Sequence, residues 1–210
     1  MITTLPRVVA SPPDRPTVGG PTHPMRITTR RAAFEPDYWN EDVAAGVAKF
    51  FDDMAPVWDE RSGVGEMAPL VDALARGGAF GRRCLELGAG TGAGTKVLAA
   101  QFQHVIALDL SGEMLRHFHD VEADLVLADG ARLPFSSASM DAIVLVNALL
   151  FPAELDRVLA PEGAIVWMNS LAEYTPIHLP VEDVVAALPG PWMATTAEAG
   201  WGMWAVVRRA

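Results

Sequence analysis

From Arg82 onward, short apolar runs alternate with helical segments. That alternation constrains the fold more than any other feature of the chain. "RRCLELG" (82–88), "HVIALDL" (104–110), "ADLVLADG" (123–130), "MDAIVLVN" (140–147) and "GAIVWMNS" (163–170) read as strands. Between them lie a helical stretch to about Gln101, a helix over 111–119 with Ser111 as its N-cap, and a short helix over 152–159 with Pro152 in its first turn. Strands that are apolar almost throughout must be covered on both faces, which calls for a parallel sheet between two helical layers. A helix over 181–188 follows. The closing "WMATTAEAGWGMWAVVRRA" reads as a hairpin turning near Gly200–Gly202. The expected architecture is a Rossmann-like, doubly wound α/β fold. Its sheet has seven strands, mostly parallel with an antiparallel last strand, and helices on both faces.

The segments upstream differ. Residues 1–36 carry many of the prolines and little periodicity, and are expected to form a flexible arm. Residues 37–80 are expected to form helices that cover the site. "NEDVAAGVAKFFDDM" puts Val43, Val47, Phe50, Phe51 and Met54 on one helical stripe, and a second helix is expected over 66–77, ending at Gly77-Gly78. Residues 81–210 are the core.

Composition narrows the function. The net charge is −10, which disfavours nucleic acid and anionic membrane surfaces as partners. No apolar run has membrane-spanning length, and the single cysteine, Cys84, rules out an intrachain disulfide. A cytoplasmic protein is the simplest reading.

The chemistry is concentrated in "CLELGAGTGAGTKVLAA" (84–100). A phosphate cradle needs Gly-Lys-Ser/Thr, but here Lys96 follows Thr95 and precedes Val97. A dinucleotide fingerprint fits better, with Gly88, Gly90 and Ala93 in register and Asp109 ending the next strand. An NAD(P)-dependent oxidoreductase therefore stays open as an alternative, although neither Tyr38 nor Tyr174 has a lysine four residues on. Glu86, two residues before the first glycine, points elsewhere. A carboxylate there serves little purpose against a pyrophosphate and suits a ligand with a cationic amino acid end.

With Glu86 included, the chain resembles the class I S-adenosylmethionine (SAM)-dependent methyltransferases from about Phe50 to the C-terminus. "LELGAGTG" matches that family's first motif and "ALDLSGEML" its second-strand motif. "LADGARLPFSSASMDAIVLVNAL" matches its third- and fourth-strand region, and "LDRVLAPEGAIVWMN" its fifth. "FFDDMAPVWDE" is similar to the segment leading into the small-molecule, type 11 branch. The resemblance implies SAM as cofactor, S-adenosylhomocysteine as product and a small-molecule methyl acceptor with an oxygen, nitrogen or carbon nucleophile. A SAM-binding protein without transferase activity is the alternative it leaves open, and a homodimer completing the site is a further expectation.

Residue roles follow from the resemblance. Gly88, Ala89 and Gly90 let the backbone approach the methionyl half, with Thr91 beside them. Glu86 organises the site near the amino end. Asp109 offers two acceptors to the ribose hydroxyls, Leu110 and Met114 flank the adenine, and Asp129 accepts from the adenine amino group between Ala128 and Gly130. Asn147 stands at the end of the fourth strand, beside the sulfonium. Trp58 and Asp59 are expected to help close the site, and residues 38–59 to become ordered over the ligand. Asn147 and His178 are the candidates for a catalytic role. No metal site is expected, since His117 and His119 are two apart and face different sides of a helix.

Overall fold

The computed structural model describes all residues except 15–19, 21 and 62–66. Eight strands form one sheet: β1 (Ile2–Thr4), β2 (Arg83–Leu87), β3 (His104–Asp109), β4 (Asp124–Leu127), β5 (Met140–Val146), β6 (Leu159–Asn169), β7 (Trp192–Ala199) and β8 (Gly202–Arg209). Their order is β1-β7-β8-β6-β5-β2-β3-β4. Only β8 runs against its neighbours, pairing antiparallel with both β6 and β7 across the turn at Gly200–Trp201.

The strand count corrects the expected seven. The extra strand comes from the N-terminal segment, where Ile2, Thr3 and Thr4 pair in parallel with Ala194, Thr195 and Thr196. The same segment supplies α1 (Pro24–Phe34), so residues 1–36 are not simply a flexible arm; positions 15–19 and 21 of it lie outside the described residues. The remaining helices are α2 (Glu41–Met54), α3 (Trp58–Arg61), α4 (Ala68–Arg76), α5 (Ala93–Ala99), α6 (Gly112–Arg116), α7 (Pro152–Val158) and α8 (Val181–Ala187). The helix expected over 66–77 corresponds to α4; position 66 lies outside the described residues.

The period-2 geometry of strands sorts the apolar residues onto two faces. Leu85, Leu87, Ile143, Leu145, Ile165 and Trp167 are buried in one core with residues of α7 and α8. Their neighbours in sequence, Cys84, Ala142, Val144, Ala164 and Val166, are buried in the other core with Leu70 and Ala73 of α4 and Leu98 of α5. Burial pushes the Cys84 thiol well above its ordinary range, so it serves as a small apolar residue.

One polar group ties α4 to this second core. Asp72 is 5% exposed, accepts from the Trp204 indole at 2.7 Å and forms an ion pair with Arg76. The Arg76 contact and then the indole hold its carboxyl below the usual range, against the opposing effect of burial. Asp72→Ala strands the buried indole N–H, and a loss of about 1–3 kcal/mol in unfolding free energy is expected from urea denaturation.

Candidate active site

The carboxyl ends of β2, β3, β4 and β5 open into one cavity of about 580 Å³. Crevices at this edge of a parallel sheet are where α/β proteins bind ligands. The turn after β2 forms its floor. Gly88 and Ala89 donate their backbone N–H groups to Leu108 O at 2.8 and 3.0 Å, which locks the turn onto β3. Gly90 has φ +56°, and a Cβ there would meet only the Trp58 indole, at 3.7 Å, so this backbone faces open cavity. Gly94 is required for a different reason: a Cβ at that position would collide with Glu86 Oε1.

Glu86 is 1% exposed, yet it lines the cavity. Thr95 donates its hydroxyl to Oε2, and among the described residues no cation pairs with the carboxylate. Burial pushes its pKa up to about 8, with the Thr95 contact pulling down and the Asp109 charge adding to the rise. The next strand brings Asp109, which accepts from Gly90 N and Ser111 N, each at 2.8 Å. One carboxylate thus ties the glycine turn to the start of α6. Burial raises its pKa and these N–H groups oppose the rise. Ser111 caps α6 by accepting from Met114 N, which buries the Met114 side chain beneath the cavity. After β4, Ala128 N bonds Asp109 O, and Asp129 Oδ1 accepts from Ala131 N at 2.8 Å.

The N-terminal helices form the other wall. Trp39, Val47, Phe51, Trp58 and Asp59 all line the cavity. Each of the three successive loops receives a polar tether from this segment. The Thr91 hydroxyl donates to Asp59 at 2.6 Å, the Ser111 hydroxyl donates to Asp52 at 2.5 Å, and the Trp39 indole donates to both oxygens of Asp129 at 3.0 Å. Glu113 N also donates to Asp52, whose carboxyl is held low by Ser111 first and Glu113 among the lesser causes.

The structure brings every position assigned to the cofactor into this one cavity: Trp58, Glu86, Gly88, Ala89, Gly90, Thr91, Asp109, Leu110, Met114, Ala128, Asp129, Gly130 and Asn147. The two catalytic candidates fare differently. Asn147 sits at φ +50°, a conformation Asn tolerates better than most residues. Its amide is spent on Ser170: Nδ2 donates to the hydroxyl and Oδ1 accepts from the backbone N–H, both at 2.9 Å. It clasps the ends of β5 and β6. His178 does not line this cavity at all, which corrects its candidacy. It lines a separate one with Glu173, Glu182 and Thr196, and its Nδ1 lies 2.8 Å from the buried Asn169 Oδ1. Burial, and after it the Arg26 charge, holds its pKa down to about 4, so the ring is neutral near pH 7.

Sequence reasoning expected residues 38–59 over the ligand but did not foresee the Trp39–Asp129 and Asp52–Ser111 tethers, nor Phe151 in the cavity wall. Trp39 and its partner Asp129 are 90 residues apart, and no local pattern links them.

Residues 85–167 match the sequence profile of a methyltransferase domain family, type 11. Demethylmenaquinone methyltransferases of Clavibacter sepedonicus and Renibacterium salmoninarum are each 33% identical over 57% of the chain. The chain spans about half the length of these curated relatives, 56% in both cases. Among solved structures, a DhpI–SAH complex superposes with TM-score 0.63 at 20% identity, covering 82% of this chain and 99% of that one. A Haloferax volcanii methyltransferase in complex with the Trm112 activator gives 0.59 at 17% identity, covering 75% and 96%. At such identities the superpositions establish the fold, and the profile and the relatives show what residues 85–167 are similar to. Residues 85–167 are thus similar to the type 11 methyltransferase domain family, and the chain shares the fold of the solved methyltransferases on which it superposes.

Proposed function

We propose that the chain is a SAM-dependent methyltransferase acting on a flat, largely apolar small molecule. The observation that carries the reading is the set of three carboxylates in one cavity. Glu86 stands uncompensated beneath the glycine turn, Asp109 at the end of β3 and Asp129 after β4. An ammonium group, a ribose diol and an adenine amino group are three donors matched to these acceptors. The open backbone at Gly90 fits a ligand lying close against the turn.

When bound, the cofactor supplies an electrophilic methyl group on its sulfonium. The chain's own part is alignment and exclusion of water. Trp39, Val47, Phe51, Phe151 and Ile177 give the cavity an apolar, largely aromatic wall. At the ends of β5 and β6 the polar side chains that line the cavity are Asn147 and Ser170, and they bond each other. Neither of these two can take up a proton, and the titratable residues that line the cavity stand on other elements. The acceptor therefore brings a nucleophile that is already reactive, as a phenolate, an enolate or an electron-rich ring carbon is. Alignment of such a pair is worth roughly 7–11 kcal/mol in favourable cases. The relatives' name, demethylmenaquinone methyltransferase, agrees with a reduced quinone as one such acceptor.

The test has two stages. Calorimetry with S-adenosylhomocysteine and with NAD should show binding of the first and not the second. Transfer of labelled methyl from SAM should then occur to hydroquinones or phenols, and not to aliphatic alcohols of similar size. Tighter NAD binding, or turnover confined to aliphatic hydroxyls, overturns the proposal.

A further inference from the structure

Of the three tethers between the N-terminal helices and the sheet loops, one lands on an atom that the cofactor needs. Asp52 holds Ser111 and Glu113 N, and Asp59 holds the Thr91 hydroxyl. The Trp39 tether lands on Asp129, the acceptor that the SAM reading reserves for the adenine amino group. The inference rests on that reading.

The Trp39 indole N–H is 3.0 Å from Oδ1 and 3.0 Å from Oδ2, so it bridges the carboxylate edge. Ala131 N takes a second position on Oδ1. The indole ring is held edge-on against Phe151, with centroids 4.9 Å apart and an interplanar angle of 68°. Phe151 in turn lies over Gly130, where a Cβ would meet its ring at 2.8 Å. A planar N–H donor resting on an aromatic wall, in line with the Asp129 carboxylate, is the arrangement a purine amino group would itself adopt there. Two planar donors cannot both lie along one carboxylate edge without crowding.

We propose that Trp39 is a displaceable gate on the adenine pocket: its indole N–H holds Asp129 in the free protein and yields it to the amino group of the incoming base. The movement is local. Trp39 lies in the link between α1 and α2, directly before the Asn40 N-cap of α2. The far half of α2 stays fixed through Asp52. The gate sets a cost on adenine binding that a ligand without the amino donor cannot offset, so Trp39 determines affinity and base specificity without taking part in methyl transfer.

Trp39→Phe keeps the aromatic wall and removes the donor. S-adenosylhomocysteine should then bind about three- to tenfold more tightly, since one net hydrogen bond no longer has to be exchanged. In wild-type protein labelled with ¹⁵N-tryptophan, the Trp39 indole resonance, assigned by its loss in the variant, should shift and exchange faster with solvent on saturation with S-adenosylhomocysteine. This second measurement stands even if the variant folds poorly. Equal or weaker binding by Trp39→Phe, or an indole resonance that does not respond in wild type, overturns the gate while leaving SAM binding intact. Absence of S-adenosylhomocysteine binding to wild type overturns the gate together with the cofactor reading.

Discussion

Replacing Asp109 by alanine is expected to weaken S-adenosylhomocysteine binding by at least about tenfold, and to do so by two routes. The direct route is loss of the acceptors proposed for the ribose hydroxyls. The second is visible in the structure without any ligand. Asp109 joins Gly90 N to Ser111 N, and it is 8% exposed. Alanine removes the acceptor of both N–H groups, and leaving the buried Ser111 N–H unpaired costs about 1–3 kcal/mol. The glycine turn and the start of α6 then lose their common anchor, and the floor of the cavity loosens. Asp109→Asn retains one acceptor oxygen and should fall between the two. Asp53→Ala is the control. Asp53 is exposed, pairs with Lys49, and does not line the cavity. Calorimetric titration of the three variants checks the order; equal affinities for Asp109→Ala and Asp53→Ala would remove Asp109 from the site.

The positions that were legible in the sequence share a physical property. Gly88, Gly90, Asp109, Asp129 and Asn147 each follow the end of an apolar run, so strand periodicity alone places them along one edge of the sheet. The hairpin at Gly200 was legible for the same reason, since its turn is local. What the sequence did not show depends on contacts between distant residues. The strand at Ile2–Thr4 is three residues long and exists through its pairing with β7. The helix α1 has no apolar stripe to announce it. It is fixed by arginines reaching across the chain, Arg26 to the Glu173 and Thr175 carbonyls and Arg30 to Asp183. The tethers from Trp39 and Asp52 span 90 and 59 residues, and each residue looks like an ordinary member of a helix or a link when read locally. His178 failed as a candidate because position after the fifth strand fixes only the edge of the sheet, not which cavity a side chain faces.

Glu86 gives the largest expected dependence on pH. Its pKa in the folded protein is pushed up to about 8 because the carboxylate is buried beneath the glycine turn. In the unfolded chain a glutamate titrates near 4.3. Between those values the folded state holds a proton that the unfolded state has released, so stability falls as pH rises. The contribution is fully present below about pH 4, and it is lost by the time pH has passed about 8. At 1.36 kcal/mol per unit, the loss is on the order of 3–5 kcal/mol. Glu86→Gln carries no such charge. The difference in unfolding free energy between wild type and variant should therefore swing toward the variant by several kcal/mol from pH 5 to pH 9, measured by urea denaturation at constant ionic strength. His178 has the opposite sign, since its lowered pKa removes stability as pH falls toward about 4, but it is common to both proteins and cancels in the comparison. The same residue links pH to the ligand. An ammonium group brought beside Glu86 favours its ionised form, so binding near pH 7 should release up to about one proton. Calorimetry in buffers of different ionisation enthalpy reads that release directly. Wild type should show it, Glu86→Gln should not, and an identical proton count in the two proteins would place the cationic end of the ligand away from Glu86.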